Sequence, residues 1–305
     1  MKAIALENEI TPDGLKPEQS GSHFASDFAE LVKARLTLLV LMTTAVGYYL
    51  AAAHPVKYLG LFHAVFGTSL AAAGAAALNQ WWEWRADAVM HRTKTRPIPA
   101  GRMRPLGALV IGLVLGAMGA IYLVVFCNWL SAFLATLTIV LYIFAYTPLK
   151  KISTANTLVG AIAGAIPPMV GWAAARNELS AGAWSLFAIL FFWQMPHFFA
   201  LAWMYRADYA RAGFQMVSSD DESGARSSSQ SVLFCLLLLI VASIPGYLGV
   251  SNILYVPVSL VLGGLFMVMA MQFHKKRTQR SARWLFLASI TYLPLLLVAM
   301  VVTKL

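Results

Sequence analysis

The sequence GLFHAVFGTSLAAAGAAALNQWWEWRADAVMHRTKTRPIPAGR occupies residues 60–102. Its first part, 60–84, is almost uncharged, and about 20 apolar residues in a helix suffice to cross the hydrocarbon layer of a membrane. The part at 91–104 is rich in lysine and arginine, which accumulate on the cytoplasmic side of membrane proteins. This stretch therefore predicts a transmembrane helix that ends in charged groups at the cytoplasmic surface.

The same pattern of apolar runs and short connections continues along the 305-residue chain. Only 12% of the residues are charged, against about 25% in a typical soluble domain. Nine segments qualify as spans, namely 30–53, 60–84, 106–126, 129–147, 155–175, 182–205, 231–250, 252–273 and 282–303. The predicted fold class is all-α, a polytopic membrane helical bundle with nine transmembrane helices.

The positive charges predict the orientation of this bundle. Of the 23 lysines and arginines, all but Lys57, Arg176 and Lys304 fall in the N-terminal region or in connections on that same side. The N-terminus is therefore expected in the cytoplasm, with residues 1–28 as a cytoplasmic tail and 29–305 as the transmembrane domain. The same rule accounts for the net charge of +10, so no nucleic-acid partner is expected.

Three oxygen-bearing side chains recur every four residues near the end of the second span. They are Asn79, Glu83 and Asp87, which share one helix face in a column about 12 Å long. Such oxygen ligands suit Mg²⁺, which often binds through carboxylates and the phosphates of a substrate. The cations that follow are suited to hold a diphosphate: Arg92, Lys94, Arg96 and Arg102. The alternative is a helix end that is charged only because it meets water.

The sixth predicted span ends in a second group of charges. The sequence FFWQMPHFFALAWMYRADYARAGFQM at 191–216 runs from aromatic residues into Arg206, Asp208 and Arg211. We expect this end to meet the end of the second span, so that carboxylates lie on both sides of one diphosphate. The polar segment 218–230 is expected to be a mobile linker.

These strings resemble the UbiA-type membrane prenyltransferases. The Asn–x3–Glu–x3–Asp spacing followed by RTxxRPxPxGR is similar to the first acidic motif of that family, and Glu83 in its middle is the form seen in heme O synthases (protoheme IX farnesyltransferases). Ala34 departs from the proline that related sequences often have. Further strings similar to heme O synthases are YTPLKK at 146–151, GAIAGAIPPMVGW at 160–172, WQMPHF at 193–198 and RADY at 206–209.

The resemblance implies that a UbiA-type prenyltransferase domain, 29–305, transfers a farnesyl group from farnesyl diphosphate to the vinyl group of heme b, forming heme O with Mg²⁺ as cofactor. It implies metal binding and catalysis by Asn79, Glu83, Asp87 and Asp208, and a catalytic role for Tyr146. It implies diphosphate binding by Arg35, Arg92, Lys94, Arg96, Lys150 and Arg206. The implied location is a bacterial cytoplasmic membrane, with the active site facing the cytoplasm and a heme A synthase or terminal-oxidase assembly factors as partners.

Some alternatives stay open on the sequence alone. His197 is either a ligand of the heme iron or an ordinary hydrogen-bonded group of the core. An aromatic acceptor such as a quinone precursor is a second possible substrate, although Glu83 and the WQMPHF string favour heme. A membrane transporter and a non-catalytic heme chaperone are further alternatives. The charges at one surface, rather than at mid-depth, are less typical of a transporter.

Overall fold

The structure, a computed structural model, describes residues 20–305, with side chains from Phe24 onward except that of Arg35. We number eleven helices in this part of the chain, counting across short breaks. They are α1 Ser20–Leu31, α2 Ala34–Ala51, α3 Tyr58–Val89, α4 Pro105–Phe126, α5 Trp129–Leu149, α6 Asn156–Arg176, α7 Ala181–Met204, α8 Arg206–Arg211, α9 Ala225–Tyr247, α10 Tyr255–Lys276 and α11 Gln279–Val302.

Eight of these helices, all but α1, α2 and α8, are long and apolar enough to cross a membrane. The bent pair Phe24–Leu31 and Leu36–Ala51, which meet at 56°, brings the number to nine if it crosses as one span. Large apolar side chains are exposed on the outside of the bundle, as on α4, where lipid covers them. The predicted all-α membrane bundle is confirmed, and the chain is an integral membrane protein.

Some helix bounds differ from the predicted ones at the end of the bundle that carries the acidic groups. Helix α3 continues to Val89, beyond the predicted end at 84, so that Glu83 and Asp87 lie inside it. Helix α1 begins at Ser20, within the predicted tail, and the rest of that tail lies outside the described residues. Polar turns of this kind extend a helix beyond its apolar part. Hydropathy alone does not detect them.

Helices α5, α6 and α7 are among those that contain irregular backbone or proline. Residues Leu141–Tyr146 of α5 form a π-helical turn, and α6 breaks at Ile166, directly before a proline that cannot donate a backbone hydrogen bond. Helix α7, in contrast, runs without interruption through Pro196, although a proline inside a helix removes one backbone hydrogen bond. The neighbouring helices accommodate this proline within the bundle.

The helices pack as two groups that meet along α6 and α7. Helices α2 to α6 form the first group, and α7 with α9, α10 and α11 forms the second. The largest buried apolar cluster belongs to the second group and includes Tyr255, Phe266 and Phe273. This arrangement leaves the charged ends of α3, α5 and α7 at one end of the bundle, where they form the site described below.

Lys57, Arg176 and Lys304 are the three cations that fall outside the positively charged side. Two of them, Arg176 and Lys304, lie together at the end of the bundle opposite the acidic groups. Arg176 donates from Nε to the carbonyl of Ala51 at 2.6 Å, and Lys304 donates from Nζ to the carbonyls of Tyr49 and Ala52, both at 2.7 Å. The three acceptor carbonyls therefore lie at the end of α2, and the two cations lie at the ends of α6 and α11. The predicted topology likewise places these two cations on the same side of the membrane.

Small residues allow α2 and α6 to approach closely, as they do in many membrane helix pairs. A methyl group on Gly171 would collide with the carbonyl oxygen of Thr44 and lie 2.7 Å from the backbone nitrogen of Tyr48. We expect Gly171→Ala to lower the free energy of unfolding by about 3 kcal/mol, because helix backbones cannot give way as a side chain can. Thermal unfolding in detergent measures this.

The matched control is Gly264→Ala in α10, where an added methyl group meets no heavy atom within 4 Å. This variant should melt like the wild type. Equal melting temperatures for the two variants would contradict the proposed contact between α2 and α6.

Candidate active site

The three predicted oxygen ligands on α3 form a buried column. Asn79 and Asp87 are each 1% exposed and Glu83 is 7% exposed, although all three lie near the end of a membrane helix. Buried carboxylates are costly unless they are paired. The partners of these side chains therefore define the site.

Each member of the column contacts a cation from a different part of the chain. Lys33 donates to Asn79 Oδ1 at 2.7 Å, and Arg96 donates to Asp87 Oδ2 at 2.6 Å. Lys150 donates to both carboxylate oxygens of Glu83, at 2.7 and 3.0 Å. Three connections thus converge on one helix face, and the site combines two carboxylates, one amide and three cations.

Lys33 reaches the column because of the bend between α1 and α2. Its backbone is left-handed, with φ 51° and ψ 48°, which turns the chain sharply between the two helices. Glu30 and Leu31, just before the bend, accept hydrogen bonds at their carbonyls from Gln80 of α3. The bend is therefore anchored beside the column, and Lys33 is a site residue that we did not predict.

Lys150 follows directly after α5 and its π-helical turn. The ammonium group lies 4.4 Å from the ring centre of Tyr146 and 5.5 Å from that of Phe214. Burial alone would lower the pKa of Lys150, but the Glu83 carboxylate and the nearby tyrosine hydroxyls raise it above its ordinary value. Lys150 is thus held as a cation against Glu83.

Two tyrosines of the π-helical turn line the same region. Tyr142 and Tyr146 stack with ring centres 5.3 Å apart, and the Tyr142 hydroxyl donates to Asn79 Oδ1 at 3.4 Å. Asn79 also donates from Nδ2 to the hydroxyl of Thr147 at 3.2 Å. We predicted Tyr146 but not Tyr142, although the spacing of four residues between them pointed to a shared face.

The loop after α3 holds some of the predicted cations in the site and places others away from it. Arg96 pairs with Asp87, and Thr93 donates to the Asp87 carbonyl at 2.9 Å, which fixes the loop on the helix end. Lys94 is exposed and contacts no carboxylate of the described residues. Arg102 pairs with Asp27 and Glu30 of α1, at 2.8 and 3.1 Å.

Asp208 brings the second group of helices to this site. Its Oδ2 accepts a hydrogen bond from the backbone nitrogen of Arg92 at 3.3 Å, and its Oδ1 pairs with Arg211. The ends of α3 and α7 therefore meet as we expected. Arg206 instead stacks on Trp203, with its guanidinium carbon 4.4 Å from the ring centre, and lies outside this contact.

The segment between α8 and α9 closes the site rather than forming a loose linker. Gln215 donates its backbone N–H to the carbonyl of Lys150 at 2.5 Å, and its own carbonyl accepts from Asn156 at 2.6 Å. Asp221 accepts from the backbone nitrogens of Arg226 and Ser227, at 3.2 and 2.7 Å.

Burial would raise the pKa of Asp221, but these hydrogen bonds lower it below its ordinary value. The carboxylate stabilises the start of α9, which includes the serines that we had assigned to a mobile linker.

The column fits a magnesium ion in its donor set. Asp87 Oδ1 is buried and has no hydrogen-bond partner among the described residues, so an acceptor oxygen remains available. Mg²⁺ needs only one or two carboxylates when substrate phosphates complete its coordination. No three His, Cys, Asp or Glu side chains converge within residues 20–305, and Asp208 is engaged by arginine groups instead.

His197 also lies apart from the column. His197 is half-buried in α7, with Nδ1 2.8 Å from the Ser289 hydroxyl. The side chain of Arg35 lies outside the described residues, so its role in diphosphate binding stays a prediction.

Comparisons with known proteins identify the family of this chain. A family model described as the UbiA prenyltransferase family matches residues 40–292. This chain belongs to the UbiA prenyltransferase family. The match includes the acidic column, both tyrosines of the π-helical turn, and Asp208.

Curated relatives within the UbiA family are similar over most of the chain. The protoheme IX farnesyltransferase of Opitutus terrae is 45% identical, covering 92% of this chain and 95% of that protein. The protoheme IX farnesyltransferase of Solibacter usitatus is 42% identical, covering 88% and 96%.

Solved structures share the UbiA fold at low identity. One, from work on digeranylgeranylglyceryl phosphate synthase, has a TM-score of 0.77 at 15% identity and covers 92% of this chain and 98% of that chain. A UbiA homologue from Archaeoglobus fulgidus bound to GPP and Mg²⁺ has a TM-score of 0.70 at 11% identity and covers 90% and 99%. At these identities the likeness shows the fold alone.

Proposed function

We propose that this chain transfers the farnesyl group of farnesyl diphosphate to a vinyl group of heme b, which yields heme O. Identity of 42% and 45% with two protoheme IX farnesyltransferases supports this choice of donor and acceptor. The observation that carries the proposal is the buried column of Asn79, Glu83 and Asp87, in which each side chain meets its own cation. The three basic side chains outnumber the two carboxylates, and this excess suits an anionic metal–diphosphate ligand.

In this proposal the column binds the metal, and its cations bind the diphosphate of the donor. Glu83, Asp87 and the amide oxygen of Asn79 would hold Mg²⁺, and Asp208 would face them from the second group of helices. Bound Mg²⁺ supplies Lewis-acid stabilisation of the departing diphosphate. The basic side chains released from the column would turn to the phosphate oxygens: Lys33, Arg96 and Lys150, together with Arg92 from the loop.

The reaction breaks the bond between farnesyl C1 and oxygen, and the electron pair leaves with diphosphate. A carbon–carbon bond then forms between C1 and the terminal vinyl carbon of heme b. Water adds to the other vinyl carbon and loses a proton, which gives the hydroxyethylfarnesyl side chain. The ring of Tyr146, close to Lys150, is suited to stabilise positive charge on the allylic group. Burial of the column limits premature reaction with water.

The proposed location is a bacterial cytoplasmic membrane, with the N-terminus and the column on the cytoplasmic side. The concentration of lysine and arginine at this end of the bundle supports that orientation. We further propose that the product passes to a heme A synthase or to assembly factors of a terminal oxidase. Chemical labelling of Lys94→Cys and Lys304→Cys in intact cells, each introduced into a chain without Cys127 and Cys235, would report the two sides.

Competition between acceptors tests the proposed reaction. Purified protein in detergent is given farnesyl diphosphate, Mg²⁺, heme b and a hydroxylated aromatic acid together, and the products are separated by chromatography. We expect a farnesylated heme and unchanged aromatic acid, with the reaction abolished by a chelator. Prenylation of the aromatic acid alone would reject heme as acceptor, and the absence of both products would reject the proposed transfer.

A further inference from the structure

His197 lies in α7 among aromatic rings and a single hydroxyl. The rings of Trp193 and Phe286 lie along the faces of the imidazole, with ring centres 5.5 and 4.7 Å away and interplanar angles of 29° and 31°. The Ser289 hydroxyl lies 2.8 Å from Nδ1. Two aromatic rings thus pack against the imidazole, and Nδ1 faces the hydroxyl.

The hydrogen bonds of Ser289 determine which ring nitrogen carries the hydrogen. Ser289 Oγ donates its only hydrogen to the carbonyl of Phe286, at 2.5 Å. The same oxygen must therefore accept a hydrogen from His197, so Nδ1 carries the N–H. In the neutral ring this leaves the lone pair on Nε2, which makes no hydrogen bond within residues 24–305.

This is the arrangement by which proteins prepare a histidine to bind a metal. A metal-binding imidazole usually donates its other N–H to an oxygen that fixes the tautomer and the ring orientation. The backbone of Ser289 is itself fixed, because its carbonyl accepts from Trp193 Nε1 at 2.8 Å. The other half-buried pair of this kind, His63 with Tyr122 at 2.8 Å, shows no second bond that assigns a tautomer.

We propose that Nε2 of His197 binds the iron of the acceptor porphyrin and that Ser289 is the positioning residue that holds this tautomer. The inference rests on the proposed function, since the iron belongs to the heme substrate. His197 lies seven residues before the end of α7, or about 10 Å along the helix from the end that carries the acidic column.

Heme titration of the purified protein tests this inference by absorption and electron paramagnetic resonance spectra. The wild type should show a histidine-ligated ferric heme. His197→Ala should lose that signal and bind heme at least 10-fold more weakly, and imidazole should restore the signal in His197→Gly. Ser289→Ala should weaken heme binding about 10- to 100-fold, and Ser289→Thr, which keeps a hydroxyl group, should bind nearly as well as the wild type. His63→Ala is the matched control and should leave the spectrum unchanged.

The outcomes separate this inference from the proposed function. If the wild type forms heme O and His197→Ala keeps the wild-type spectrum and affinity, the ligand assignment is wrong and the transfer reaction stands. If Ser289→Ala binds heme as tightly as the wild type, Ser289 is not the positioning residue. If the wild type neither binds heme nor farnesylates it, the proposed function itself fails.

Discussion

Glu83→Gln is expected to lower kcat/KM for farnesyl transfer by at least about 100-fold. The substitution keeps the size of the side chain but removes the negative charge that would hold Mg²⁺ and that now pairs with Lys150. Raising the Mg²⁺ concentration should recover part of the loss if the charge acts through the metal. The rate of heme O formation at several Mg²⁺ concentrations measures both effects.

Two further variants distinguish a role of the Glu83 charge in the reaction from a general loss of structure. Glu83→Asp keeps the charge with a shorter side chain and should retain more activity than Glu83→Gln. Glu178→Gln changes an exposed carboxylate that pairs weakly with Arg176, at 3.9 Å, and should behave like the wild type. Wild-type kcat/KM in Glu83→Gln would remove the acidic column from the proposed mechanism.

Lys150→Met is expected to cost about 3 kcal/mol of stability, because it leaves the buried carboxylate of Glu83 without its cation. The double variant Glu83→Gln with Lys150→Met removes both charges and should regain most of this stability. It should nevertheless remain inactive, because neither the metal nor the diphosphate would find its partner. Thermal unfolding in detergent and the farnesyl transfer rate, measured on the same preparations, test both expectations.

The neighbouring Lys151 provides the control, since it is exposed and has no carboxylate partner among the described residues. Lys151→Met should leave the melting temperature unchanged. A double variant as unstable as Lys150→Met alone would show that the lysine stabilises the fold by packing rather than by pairing with Glu83.

The helices could be predicted well because each membrane span must satisfy its own backbone and cover itself with apolar side chains. The four-residue spacing of Asn79, Glu83 and Asp87 also determined their common face, since it depends on one helix alone. Hydropathy placed the end of the span at 84, because the last turns of α3, up to Val89, are polar.

The partners of the column were harder to predict, because they depend on how separate elements pack. Lys33 enters the site through a left-handed bend, and Tyr142 enters through a π-helical turn that changes the register of α5. Hydropathy predicts neither the bend nor the π-helical turn, and the four-residue spacing of the two tyrosines indicated their shared face but not the contact of Tyr142 with Asn79. Arg206 is close to Asp208 in sequence, and we expected it in the site. Its guanidinium group instead stacks on Trp203.

Mass spectrometry of the heme after incubation with farnesyl diphosphate and Mg²⁺ tests the central claim most directly. We predict a new heme that is heavier by one farnesyl group and one water, formed by the wild type and absent with a chelator or with Glu83→Gln. Heme of unchanged mass, recovered from folded wild-type protein with all three components present, would contradict the claim that this chain is a heme farnesyltransferase.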